Sequence, residues 1–400
     1  GANNVAVGAS ALGANTTGER NTAVGTSSLT SNTTAAANTA IGFKSLENNT
    51  TGASNTALGQ DSLRANTTAA ENTAVGMDAL TANTTGASNT AVGAATLGAN
   101  TTGEANTAIG AAALDANTTA ANNTAVGVHA LGANTTGTEN AAVGKGALDS
   151  NTTGRNNVAM GMETLQANTT GDNNTGLGSG ALYSNTTADE NTAVGFNSLV
   201  SCTTGDKNTA VGKGAGDVLV DGDNNTMIGF GTDPSASGGN DQICLGRGVL
   251  GVGNSTFTFG KDTGSDRVHN TFSSNATFAR VSDERYKKDI QTNTDCGLDF
   301  INELRTVTFK FKAKSEIPNT LPDYDESKTT ADHTDKLYGV IAQEVKAALA
   351  THSITDFGGH TEEESSGIQG IAQSMFIYPL IKSVQELSTK LDAALARIAT

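Results

Sequence analysis

The sequence predicts a mainly β protein: a parallel β-roll or β-solenoid of 17-residue repeats, homotrimeric, followed by a C-terminal α/β domain ending in a short coiled coil. Three observations carry this. A Gly closes an NTAVG-like unit at residues 8, 25, 42 and onward to 246, fifteen times at an unbroken 17-residue spacing. Large side chains are scarce along that stretch, where Phe43, Tyr183 and Phe196 are the three aromatics before residue 212. From Ser282 the style changes, and six of the nine residues from Ser282 to Ile290 are charged.

The repeat columns justify the solenoid. The residue before each Gly is aliphatic, from Val7, Val24 and Ile41 to Leu245, with Met160 the exception. Leu stands four residues after the Gly, from Leu12 and Leu29 to Leu199. One Asn column runs from Asn4 through Asn21 and Asn38 to Asn225, a second from Asn15 through Asn32 and Asn66 to Asn185. Short T-A-V and A-L segments between Gly and Asn turns read as brief strands. If each repeat is one coil, Val24 stacks on its equivalents, Leu29 on its own, and the Asn amides bond along the stack. Fifteen coils at about 4.8 Å each make a rod roughly 70 Å long. A coil this thin buries little by itself. The Ala column two residues before the Gly therefore reads as a second buried face, where parallel chains approach closely, and this predicts the homotrimer.

The NTAVGxxAL spacing resembles the β-roll head repeats of trimeric autotransporter adhesins, over about residues 1–250. That resemblance implies rolls packed about a threefold axis. This repeat is longer than the adhesin unit and carries an additional NTTG segment.

Residues 1–212 are then regular repeats and 213–253 atypical capping coils, where Gly216 replaces the column Leu. Residues 254–281 read as neck strands threading the chains together. Residues 282–400 form the α/β domain: an amphipathic helix running into a strand over 297–312, a polar loop over 315–336, a strand end entering a helix over 337–350, and an acidic loop over 358–367. Leu380, Val384, Leu387, Leu391, Ala394 and Ile398 set an a/d seam, a coiled coil from about residue 378, with a plain amphipathic helix as the alternative.

Composition excludes several functions. A net charge of −16 disfavours nucleic acid and anionic membranes as partners. No apolar run is long enough for membrane insertion, and the N-terminus lacks a signal-peptide profile. The chain begins without Met and in mid-repeat, which reads as a fragment of something longer. Cys202, Cys244 and Cys296 are too scattered for a disulfide framework, and the five His form no ligand spacing, so no metal and no cofactor is expected. A glycosidase needs paired carboxylates and aromatic platforms, which the repeats lack. The NTT triplets match the glycosylation sequon but are better read as a structural Asn ladder. An ice-binding Thr surface is disfavoured, because adjacent Thr on a strand face opposite ways.

Ser282 before a charged run suits a helix N-cap, with Asp283 and Glu284 complementing the helix dipole. The motifs SDERYKKDI, LDFINELRTVTFKFK, YGVIAQEV and YPLIKSVQEL, in that order, resemble the C-terminal intramolecular chaperone domain of phage endosialidases and tail fibres, over about 282–400. The resemblance implies that the domain holds three chains in register during folding, then cleaves itself off. It makes Ser282 the nucleophile, Lys287 the general base and Val281–Ser282 the scissile bond. Arg285 and Lys288 could lower the lysine pKa by like-charge proximity. The expected protein is the distal part of a phage tail fibre, located in the virion, at most a single-turnover autoprotease. The alternative is a bacterial cell-surface adhesin or filament subunit, although an autotransporter adhesin is expected to end in a β-barrel anchor. A host receptor or glycan would meet outward residues such as Phe43, Lys44, Tyr183 and Phe196, or the region 216–281.

Overall fold

A computed structural model describes residues 1–262, 266–272, 279–280, 290–321, 324–331, 335–363 and 367–398. The chain divides into two compact units, Gly1–Lys287 and Lys288–Thr400.

The first unit is a parallel β-solenoid. Strands β1 (Val5–Val7) and β2 (Thr22–Val24) begin a series that recurs in step with the repeat through β14 (Thr226–Ile228) to β15 (Gln242–Arg247). Neighbours pair in parallel with like residues opposite, as in Thr22↔Thr39, Ala23↔Ala40 and Val24↔Ile41. Each regular coil has one three-residue strand. The remaining backbone is turn, yet it still bonds between coils, with Leu29 N–H donating to Ser45 O at 2.9 Å and Ser31 N–H to Glu47 O at 3.0 Å.

Two expectations change here. The A-L segment is not a strand, because the column Leu lies in left-handed backbone, with φ between 49° at Leu12 and 54° at Leu165. A 17-residue coil must reverse direction within a few residues, and this conformation aims the side chain inward. The left-handed state costs roughly 1–2 kcal/mol, against about 1.5–3 kcal/mol gained by burying a Leu. The second change concerns the Ala column. Ala23, Ala40 and their equivalents are fully buried inside their own chain, packed with Leu29 and Leu46. Alternation along the strand turns its two ends outward, so the aliphatic column lies on the surface.

The last coils substitute in pairs. Met227 takes the Ala position where Gly216 has vacated the Leu position, and a Cβ on Gly216 would lie 2.6 Å from Met227 Cε. Strand β16 (Thr256–Lys261) pairs in parallel with β15 through Gln242↔Thr256, a step of 14 residues. Strands β17 (Arg267–Thr271) and β18 (Ala279–Arg280) then add antiparallel. The stretch expected to form a neck thus extends the same chain's sheet, and the switch of direction ends the parallel ladder.

The second unit packs α1 (Leu298–Glu303), α2 (Ala342–Thr351) and α3 (Ile377–Ile398) with two antiparallel hairpins, β19 (Val307–Phe309) with β20 (Leu337–Gly339) and β21 (His360–Glu362) with β22 (Gln369–Ile371). The region 358–367, expected as a loop, contributes β21; three residues are too few for alternation to register in the sequence. Phe300, Val345, Ala348 and Leu349 form the buried centre, with Phe357 set edge-on to Phe300 at 5.9 Å. Glu386 on α3 accepts the Leu298 N–H at 2.8 Å and so caps α1 from a distant element. Along α3, Leu380, Val384, Leu387, Leu391 and Ile398 are exposed, as is Ala394.

Candidate functional site: the Ser282 junction and the side-chain ladders

The proposed cleavage residues Val281 and Ser282, the base Lys287 and the supporting Arg285 and Lys288 lie outside the described residues. Their flanks are described. Strand β18 ends at Arg280, next to the expected scissile bond, and its backbone pairs with β17 through Val268↔Arg280 and His269↔Ala279. On the other side Ile290 is exposed. In the sequence, the junction therefore begins one residue after the final strand of the solenoid sheet.

The ladder residues are placed. Asn21 Oδ1 accepts the Asn38 N–H at 3.0 Å while its Nδ2 donates to Ala35 O at 2.9 Å. Asn38 repeats this one coil on, donating to Gly52 O at 2.9 Å. In the second column Asn32 Nδ2 bridges Asn15 Oδ1 and Ala35 O at 2.9 and 3.0 Å, and Asn66 Nδ2 bridges Asn49 Oδ1 and Ala69 O at 2.8 and 3.0 Å. These amides are fully buried, apart from Asn15 at the first coil. A glycosyltransferase cannot reach the buried sequon Asn in the folded chain. Leu29 is buried and Val24 is half-buried on the outer face. The NTT triplets are bends, not strands, and their first Thr hydroxyl donates along the stack, as from Thr33 to Thr50 O at 3.2 Å.

The second Asn column stops because Cys202 occupies the next position. Its thiol donates to Gly205 O at 3.4 Å and leaves Asn185 Oδ1 without a partner among the described residues. A ladder of this kind always ends on one unpaired carbonyl, so position matters. Asn100→Cys in mid-stack should cost about 1–3 kcal/mol, whereas Asn185→Cys, which only moves the end, should cost under about 1 kcal/mol. Thermal or denaturant unfolding of the two variants checks this, and equal losses would show that the amide pairs contribute nothing specific.

Sequence reading missed two carboxylate features. Asp172, Asp189, Asp206 and Asp223 form one column, each accepting a backbone N–H from the preceding coil at 2.6 to 2.8 Å. Their 17-residue spacing was visible in the sequence. Asp233, by contrast, sits in the Leu column. Burial, then the nearby Asp217 carboxylate, raises its pKa to about 6, and Asp233 Oδ1 lacks a partner among the described residues. The folded pKa exceeds the ordinary 3.8, so the folded chain binds the proton more tightly, and this contribution to stability is lost as pH rises from about 4 to 6. Asp233→Asn should remove that slope and stabilise the chain by about 1–2 kcal/mol at neutral pH, allowing for solvent screening at a half-buried group. Melting the two proteins between pH 4 and 8 checks this; parallel profiles would refute it.

Burial also pushes the Cys202 thiol up to about 11 and the Cys244 thiol to about 12, so neither serves as a nucleophile near neutral pH. Among the described residues no group of three or more His, Cys, Asp or Glu could hold a metal ion, and no helix is long and apolar enough to cross a membrane. Of the outward aromatics, Phe43 and Phe196 are exposed, with Lys44 and Lys213 against their respective rings. Phe230 is also exposed and shares Lys213 with Phe196.

Residues 282–354 match the family model Peptidase_S74, described as chaperone of endosialidase. The match begins at Ser282 and takes in α1, β19, β20 and α2. No curated protein matches the chain.

Proposed function

We propose that this chain is a trimeric structural and adhesive fibre, the distal part of a phage tail fibre. Its C-terminal unit aligns three copies during folding and then cuts itself away at Val281–Ser282. The observation that carries this reading is the chaperone match starting at Ser282, directly after a long solenoid. Two features of the second unit favour self-association. The α3 seam is exposed along its length, and beside it lies an open apolar hollow of about 640 Å³ lined by Ile301, Leu304, Val307, Tyr338, Phe376 and Leu380. A solenoid of near-identical repeats also has weakly specified register between chains, since a one-repeat slip still matches most columns. A clamp at one end removes that ambiguity.

In the proposed cut, Ser282 Oγ attacks the Val281 carbonyl carbon while the neutral Lys287 amine takes the hydroxyl proton. The C–N bond breaks as the proton passes to the departing Ser282 amine, leaving Val281 esterified to Oγ. Water hydrolyses the ester to the Val281 carboxylate and restores the Ser282 hydroxyl. Outward residues including Tyr183 are the proposed contacts for a host receptor or glycan.

The test follows the whole chain by sedimentation and by denaturing electrophoresis over time. Three-copy assemblies releasing residues 282–400 are the expected result, and an intact monomer overturns the reading. A bacterial surface filament without proteolysis would instead give intact trimers.

A further inference from the structure

The exposed aliphatic column has no partner in one chain. Each T-A-V strand buries its Ala and presents Thr and the aliphatic residue outward, so these side chains form two parallel rows at coil pitch. Eight of the fifteen residues of the aliphatic row are exposed, among them Val7 57%, Leu58 45%, Ile109 42% and Met160 48%, and the others, such as Val24 and Val75, are half-buried. The flanking column after the Gly adds exposed Phe43, Met77, Met162 and Phe230. Monomeric proteins seldom leave a contiguous apolar strip of several hundred Å² open to water.

We propose that this Thr–aliphatic strand face is where the solenoids of neighbouring copies pack, parallel and face to face. This rests on the trimeric reading and names the surface that the trimer uses. Three arguments select a second copy as the occupant. First, the face repeats at the coil pitch of about 4.8 Å over roughly 70 Å. A partner filling it throughout must carry the same pitch and length, and another copy of this chain has both. Second, the face is about 10 Å wide for a three-residue strand. It therefore offers roughly 700 Å² per chain, close to the ~800 Å² that each partner gives to a stable interface. Third, the chain carries 40 acidic residues, yet none falls in the Thr, aliphatic or flanking columns from β1 to β15. Two copies of a strongly acidic rod can approach along this face without opposing carboxylates. The Ala column, buried inside the coil, cannot serve.

The test uses the full chain carrying Ile109→Cys, with Thr102→Cys on another side of the coil as control. Both positions are exposed in one chain, and the native Cys202, Cys244 and Cys296 are buried. After sedimentation has established the mass, each variant is treated with a maleimide under native conditions. Labelling of the Ile109→Cys variant about tenfold or more slower than that of the Thr102→Cys variant, in a chain sedimenting as three copies, is expected of a desolvated interface. Equal labelling in such a trimer overturns the proposed face and leaves the trimer standing. A chain sedimenting as a monomer overturns the face and the trimeric reading together. An Ile109→Glu variant adds a second measurement: it should loosen the solenoid trimer, and unchanged assembly and stability would also count against the face.

Discussion

A Ser282→Ala chain should remain a single intact polypeptide under conditions where the wild type releases residues 282–400. Loss of the attacking oxygen should slow the cut by about a thousandfold or more. Assembly into three copies should be unchanged, because the substitution removes chemistry and leaves the packing surfaces of the second unit alone. Ser282→Asp separates the two roles of this residue: it keeps a helix-capping oxygen and lacks a nucleophilic hydroxyl. If capping were the whole role, Ser282→Asp would behave as wild type; as a nucleophile lost, it stays uncut. Lys287→Arg makes the matching distinction for the base. Arginine retains the charge but does not deprotonate near neutral pH, so it cannot accept the hydroxyl proton. A wild-type chain that assembles into trimers and stays uncut would sink the dyad while leaving the assembly role in place.

The period and the parallel stacking were legible because every repeat restates the same columns, so fifteen weak signals add at Gly8, Gly25 and their successors. The orientation of the columns was not. Ala is small enough for either a thin core or a close chain contact, and only the observed strand alternation puts Ala23 inside and Val24 outside. Leu29 likewise reads as a strand residue by composition, because its left-handed backbone leaves no mark on a sequence where Gly would be the usual signal. In the second unit the helices and the two strands β19 and β20 were legible as elements around Phe300 and Val345, while their pairing was not. The β21–β22 hairpin was not legible, since His360–Glu362 is short and polar. The Ser282 junction was legible through resemblance more than chemistry, since a Ser and a Lys five residues apart do not meet automatically on a helix.

The Gly column should be the least tolerant feature of the solenoid. Gly127 has φ +140°, and a Cβ there would lie 2.4 Å from Gly144 O and 2.6 Å from the same carbonyl carbon. Both atoms belong to backbone held against the Gly127 coil itself, since the Gly144 N–H donates to Val126 O at 2.8 Å. Relief therefore requires two coils to separate. The backbone conformation alone costs a non-Gly residue roughly 1–3 kcal/mol, and the collision adds to it, so Gly127→Ala should destabilise the rod by about 3 kcal/mol or more. A control lies nearby. Gly98 carries no positive φ, and its column holds Thr30, Arg64 and Tyr183 in other coils, so Gly98→Ala should change stability by under about 0.5 kcal/mol. In a solenoid each coil touches only its neighbours, so the damage should be local. Hydrogen exchange in Gly127→Ala should lose protection around residues 110–144 first, with distant coils retaining theirs. A uniform loss along the rod would mean that the coils unfold as one unit; no loss at all would mean that the Gly column tolerates a side chain.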